Sequence, residues 1–306
     1  LDTVPVVPGW ETDPFKLVKK DGNIYGLGAN DMKAGLACAL SMLKAFADSS
    51  YEFNGELSFA GVIDEEAYGE GAKAMLKTDW GKVDAIVLGE PSTGMKDNPT
   101  PLGITGKVLY DIYVRGKAAH GFHPQAGINA VEQAGIILAN LHKLKIAEKE
   151  GFQGNYSTLK IEGGYKVYSV VVPAECRFEV NRLTVPGETV QGVIKDMEEL
   201  VASLNLEAEV EVKTKPPLYA SYVLDKKTPF VKVFDETYRD VMGRECEYEY
   251  SSSITDANTF TGEGSIPTMH LGPYAGGTHQ KNEYTKLDSI PPVTKVYTEL
   301  AARFLV

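Results

Sequence analysis

Short apolar runs and amphipathic stretches alternate along most of the chain. In MKAGLACALSMLKAFADS, residues Leu36, Leu40, Leu43 and Phe46 recur near helical spacing, so a helix starts at or just after Asp31, behind the glycine-rich turn NIYGLGAND. GELSFAGVIDEE is an apolar run ending in three acids, and it predicts a buried strand that delivers carboxylates at its C-terminal end. VDAIVLGEPS repeats that design with Glu90. Strands ending in carboxylates, with helices between them, predict an open α/β sheet whose ligand site lies beyond the strand carboxyl ends.

From about Lys107 the pattern changes. VLYDIYVRG reads as a strand, NAVEQAGIILANLHKL as a helix, and YSTLKIEGG and ECRFEVNRLTV as two strands. TVQGVIKDMEELVASL reads as a second helix and EAEVEVKTK as a last strand. The order β-α-β-β-α-β is that of a ferredoxin-like split βαβ unit. One face of each helix, through Ile128, Val131, Leu138 and Leu141 and through Val190, Val193, Met197 and Leu204, is spaced to cover a sheet. The consecutive prolines of KTKPPLY mark a boundary. TPFVKVFDETYRDVMG then reads as a helix, SIPTMHLGP as a strand and turn, and PPVTKVYTELAARFLV as a final helix. The small unit, residues 105–215, is therefore an insertion that splits an α/β domain made of residues 1–104 and 216–306.

Composition narrows the function classes. A formal net charge of −11 over 306 residues argues against a nucleic-acid binder, which concentrates positive charge against phosphates. No apolar run reaches the length of a membrane span. The three cysteines, Cys38, Cys176 and Cys246, form no CxxC pair and read as free thiols of a reducing compartment, which places the protein in the cytoplasm.

The acids carry the candidate chemistry. At a strand end that turns into a loop, Glu65 and Glu66 of VIDEEAYGEG both approach one site, one as a metal ligand and its neighbour as a base. Asp31 opens a helix, Glu90 follows an apolar strand, and His279 lies in GGTHQKNEY. Each alone is an ordinary cap or surface group. Together they form the imidazole and carboxylate mixture that zinc and other borderline metals accept. No serine triad, catalytic-cysteine context or Walker motif competes with them, and GLGAND has the wrong continuation for a dinucleotide fingerprint.

The ordered set LDTVP, GLGANDMK, DEE, GEPS, GKAAHG and THQKNEY resembles the M20 family of metallopeptidases and amidohydrolases over essentially the whole chain. That family includes acetylornithine deacetylase, succinyl-diaminopimelate desuccinylase and the carboxypeptidase G type. The resemblance implies a zinc-peptidase-like open mixed sheet with helices, split by a ferredoxin-like lid or dimerisation domain through which the protein forms a homodimer. It implies two zinc ions, with cobalt or manganese as substitutes. Asp31 would bridge them, Glu90 would serve one, and Glu66 and His279 would complete the other. Glu65 would be the general base, and His120 of GKAAHG would stabilise the oxyanion. A cis peptide after Asp31 is also implied. LDTVP resembles the tail of the family's HxDTVP motif, so Asp2 would orient a metal-binding histidine expected just ahead of Leu1, in an N-terminal segment that family members carry.

The implied reaction is hydrolysis of an amide in an N-acyl amino acid, with a small carboxylate-bearing substrate. A dipeptidase, aminopeptidase or carboxypeptidase of the same family, or a non-catalytic metal- or peptide-binding relative, is the alternative. Arg182 of VNRLTVPGE matches the family's grip for a substrate carboxylate, and Glu283 matches a position near the site that serves the substrate amine or supports the ligands. Three departures bear on the substrate. Asn181 precedes Arg182 where the family's arginine follows an aspartate in a DxR or DRR form, Asn258 of TDANTF stands where arginine is common, and Ser169 stands near an expected asparagine.

Overall fold

The computed structural model describes residues 2–52, 54–149, 151–167 and 169–305, so the expectation made at Leu1 lies outside them. The amphipathic stretches form α-helices: α1 (Ala34–Ala47), α2 (Glu70–Leu76), α3 (Ala130–Asn140), α4 (Val190–Ser203), α5 (Pro229–Met242) and α6 (Ile290–Phe304). The chain divides into two units. One comprises Leu1–Ile104, Val223–Ser251 and Thr255–Val306, and the other comprises Thr105–Tyr222 with Ser252–Ile254.

The first unit mixes helices with short strands. Ile86–Leu88 pairs in parallel with Thr268–His270, and Thr100–Ile104 pairs in parallel with Tyr248–Ser251. An antiparallel sheet runs in the order Val18–Lys20, Asn23–Tyr25, Tyr284–Lys286, Ala275–Gly276. Its central pairing sets Tyr284 opposite Tyr25 and Lys286 opposite Asn23. That register brings the THQKNEY segment beside the GLGAND turn from the far end of the chain. Helices α1 and α5 both pack on α6.

Two expectations for this unit are corrected. The buried face of α1 is Ala34, Gly35, Cys38 and Met42, while Leu40 is half exposed. The face is chosen by backbone proximity, because Gly35 lets the helix approach the chain at Gly89 more closely than a leucine allows. The GELSFAGVI run is not a strand. Leu57, Phe59 and Val62 are half-buried between exposed neighbours, as an extended chain requires, but no strand among the described residues pairs with them. Without a ladder of backbone hydrogen bonds the segment stays irregular. It lines an apolar cavity of about 800 Å³ together with Leu36, Met42, Val87 and Leu300.

In the second unit the strands lie in the order Glu209–Tyr219, Gly106–Arg115, Glu175–Thr184, Asn155–Gly163, all antiparallel. With α3 and α4 the elements follow one another as β-α-β-β-α-β. Period-two alternation turns Tyr110 and Ile112 toward Phe178, Val180, Ala134, Ile137, Val193 and Met197 in one buried cluster. The intervening Asp111 instead takes two hydrogen bonds from Arg177, at 2.6 and 2.8 Å. Both helices are capped by side chains, since Asn129 accepts from the N–H of Val131 and Thr189 from that of Gly192. The prolines of KTKPPLY do not stop the last strand, which continues to Tyr219. Its register slips between Lys215 and Tyr219, so Pro216 and Pro217 sit at a bulge where the ladder needs no N–H from them.

Candidate metal centre

The acids reach one place because three turns are wound tightly. Gly28, at φ 71°, bends the chain ahead of the turn Ala29–Lys33 that carries Asp31, and α1 follows directly. The bond from Asp31 to Met32 is cis, as the resemblance implies. Asp64 (φ 70°) and His279 (φ 59°) are non-glycine residues in the left-handed region, a conformation that persists only where surrounding contacts enforce it. For the acidic turn those contacts come from Asp2, whose Oδ1 and Oδ2 accept the N–H groups of Glu65 and Glu66 at 3.3 and 3.2 Å.

His279 Nε2 lies 3.2 Å from both Oε1 and Oε2 of Glu66 and 3.4 Å from Asp31 Oδ2. One ligand atom from each of these residues fits within 4.8 Å of the others. Glu90, two residues beyond the strand Ile86–Leu88, is buried close enough to Asp31 for the two carboxyl groups to interact.

Electrostatics show how much negative charge is gathered here. Burial, followed by repulsion from Asp256, Asp31, Glu66 and Asp2, pushes Glu65 up to about 8. Burial and then Asp31 drive Glu90 well above the carboxylate range. Asp31 is raised by burial and by Glu66, although His279 partly offsets this. Asp2 behaves oppositely. Burial would raise it, but hydrogen bonds from the backbone N–H groups of Glu66, of Asp2 itself and of Glu65 help to hold it low.

Asp256 is a member of this group that the sequence reading missed. It is 2% exposed, and burial followed by Asp2 pushes it up to about 6. The available signal was the acid of TDANTF, where attention fell on Asn258 instead.

The remaining predicted residues stand elsewhere or are already occupied. Glu283 is buried, and its carboxylate accepts the N–H groups of Gly28, Asn30 and Asp31 at 2.7, 2.8 and 2.9 Å. Arg182 is fully buried in the second unit, where it donates to Glu188 Oε1 at 2.6 Å and to the Lys145 carbonyl at 2.8 Å. The structure therefore places this guanidinium in a buried ion pair and not on an open surface. His120, in the same unit, is exposed, and its Nδ1 accepts the Phe122 N–H at 3.2 Å.

An imidazole and carboxylates whose ligand atoms lie within 4.8 Å of one another, amid acids raised by burial and by mutual repulsion, are the donor set of a borderline divalent cation. Asp31, Glu66 and His279 would hold such an ion, and Glu90 stands next to Asp31. Glu90 follows the C-terminal end of a strand in a parallel pair, the end at which open α/β sheets bind their ligands.

Comparison with known proteins agrees. Peptidase family M20/M25/M40 matches residues 1–303. A succinyl-diaminopimelate desuccinylase of Orientia tsutsugamushi is 27% identical, over 100% of this chain and 79% of its own length. Among solved structures, aminopeptidase PepT from Bacillus cereus superposes with a TM-score of 0.75 at 21% identity, covering 94% of this chain and 75% of that one. A dinuclear metal-binding peptidase of the M20 family from Bacillus subtilis superposes at 0.68 with 20% identity, covering 89% and 71%. The chain thus belongs to peptidase family M20/M25/M40, whose members are metal-dependent peptidases and amidohydrolases. No helix among the described residues is long and apolar enough to cross a membrane.

Proposed function

We propose that the protein hydrolyses the amide bond of a short peptide at a divalent metal centre, with a pair of zinc ions as its native complement. The observation that carries this reading is the Asp31, Glu66 and His279 cluster beside Glu65 and Glu90. A cation held there would supply Lewis acidity to a water molecule and to the scissile carbonyl. Glu65, outside the ligand trio but next to Glu66, takes the proton of the attacking water and returns it to the leaving amine. Asp2 fixes the backbone that presents Glu65 and Glu66. In neutral His120, an Nδ1 that accepts a hydrogen bond leaves the proton on Nε2, so the exposed ring offers a donor to a developing oxyanion.

A second reading, cleavage of an N-acyl amino acid, is supported by the desuccinylase relatives. We read the second unit as a ferredoxin-like lid or dimerisation domain. Its element order supports this, as does the edge strand Asn155–Gly163 with exposed Leu159 and Ile161. The free thiols Cys38, Cys176 and Cys246 support a cytoplasmic setting.

The test is a panel of dipeptides and tripeptides set against N-acetyl and N-succinyl amino acids, each assayed with zinc, cobalt and manganese. Preferential turnover of peptides is expected. Preference for N-acyl amino acids would favour the second reading, and a metal-loaded protein that cleaves neither class would sink the proposal.

A further inference from the structure

We infer that Glu283 is a positioning residue of this centre, whose carboxylate sets the Asp31 turn at a fixed spacing from His279. The inference rests on the reading of Asp31 and His279 as metal ligands. It assigns Glu283 to neither metal nor substrate. Both of its oxygens are committed, Oε2 to the Gly28 N–H and Oε1 to the N–H groups of Asn30 and Asp31. Three backbone donors of one turn, those of Gly28, Asn30 and Asp31, surround one buried carboxylate as an anion-binding nest.

The nest is filled from the opposite end of the chain, 252 residues from Asp31. Glu283 immediately precedes the strand Tyr284–Lys286, whose pairing with Asn23–Tyr25 brings it to the turn, and its own carbonyl accepts the Gly26 N–H at 3.3 Å. A second tie acts one residue away from each ligand. Asn30, preceding Asp31, donates through Nδ2 to the Oγ1 of Thr278, preceding His279, at 2.5 Å. The loop between these ties holds His279 at φ 59° and Asn282 at φ 60°, so it has little slack. The two ligand turns are thereby joined as one piece, and the 3.4 Å separation of His279 Nε2 from Asp31 Oδ2 follows from that joint.

Glu283→Gln keeps the shape but sets an amide N–H₂ against at least one backbone N–H. Thr278→Val removes the second tie. Thr285→Val is the comparison variant, because Thr285 Oγ1 donates to the Ala29 carbonyl at 2.6 Å on the same turn without touching the N–H of Asp31 or the His279 turn. Zinc affinity would be measured by calorimetric titration of the full chain, the cobalt-loaded visible spectrum recorded, and melting of the metal-free proteins followed.

Glu283→Gln is expected to weaken zinc binding about 10- to 100-fold and to alter the cobalt spectrum, and Thr278→Val to weaken binding severalfold. Thr285→Val is expected to lower melting while leaving the zinc affinity within about twofold. Unchanged affinity in Glu283→Gln, or an equal loss in Thr285→Val, would overturn the inference. Should Glu283→Gln fail to fold, Thr278→Val decides it, and unchanged affinity there overturns it as well. Failure of the unaltered chain to take up zinc or cobalt would instead overturn the metal reading itself, and the positioning role with it.

Discussion

Gly35 rests directly on the backbone of Gly89, so closely that a Cβ on Gly35 would lie 1.9 Å from the Gly89 carbonyl oxygen. The contact joins the first turn of α1, just after Asp31, to the residue before Glu90. It sets how near those two carboxylates come. Gly35→Ala must separate helix from strand, because the obstacle is backbone and cannot rotate away. Overpacking of this kind costs about 1–3 kcal/mol, and the overlap here puts the expected loss at the top of that range or beyond. Urea denaturation would measure it, and a loss below about 0.5 kcal/mol would contradict the packing argument.

Glu65 is the acid whose removal separates chemistry from binding. Glu65→Gln preserves volume and leaves Asp31, Glu66 and His279 intact, so bound metal per chain should not change. Amide hydrolysis should fall about 10²- to 10⁴-fold, the usual contribution of a positioned proton-transfer group. Metal analysis beside steady-state rates would show it. Full activity in the variant would remove Glu65 from its proposed role.

Much of this arrangement was legible where the signal is local. Asp31 behind a glycine turn, Glu66 in an acidic run, Glu90 after an apolar strand and the late His279 were all visible as residue types at element ends. The structure brings Asp31, Glu66 and His279 together and sets Glu90 beside them. What failed depended on distant partners. Leu57 and Phe59 alternate as a strand does, but pairing is decided by neighbours far along the chain. The α1 face was misjudged because hydrophobicity does not register a glycine contact with a backbone carbonyl. Asp256 escaped notice because only the fold shows how deeply it is buried.

Arg182 illustrates the same limit with a measurable consequence. A motif alone cannot show that its guanidinium has 0% exposure or that Glu188 lies 2.6 Å away. Its Nε and Nη1 find no partner among the described residues, so the group is held through Nη2, by Glu188, the Lys145 carbonyl and, at 3.9 Å, Asp196. Removing one member of a buried pair leaves an uncompensated charge, at a typical cost of about 3–5 kcal/mol. Arg182→Ala should therefore destabilise the protein by that order. At temperatures where the variant remains folded, KM should stay near its original value. A raised KM with unchanged melting would instead support Arg182 as a substrate grip.

His270 gives the protein a predictable acid sensitivity. Its ring is 1% exposed on the strand Thr268–His270, with Nε2 3.0 Å from Thr255 Oγ1 and no partner for Nδ1 among the described residues. Thr255 Oγ1 also accepts the Ala257 N–H, at 3.2 Å. An imidazolium here would bury a charge and leave one N–H unmet, and burial accordingly lowers this histidine from 6.5 to about 4. The unfolded chain thus binds a proton first as pH falls. The penalty is absent above 6.5, grows as pH falls from there, and levels off below about 4, where the folded form protonates too. Over that window the histidine alone removes about 3 kcal/mol of stability, from about 1.4 kcal/mol per pH unit. In His270→Gln that part of the slope should vanish, even though the variant is less stable at neutral pH. Urea denaturation of both proteins at several pH values between 4 and 7.5 would show it, and parallel stability curves for the two would refute the assignment.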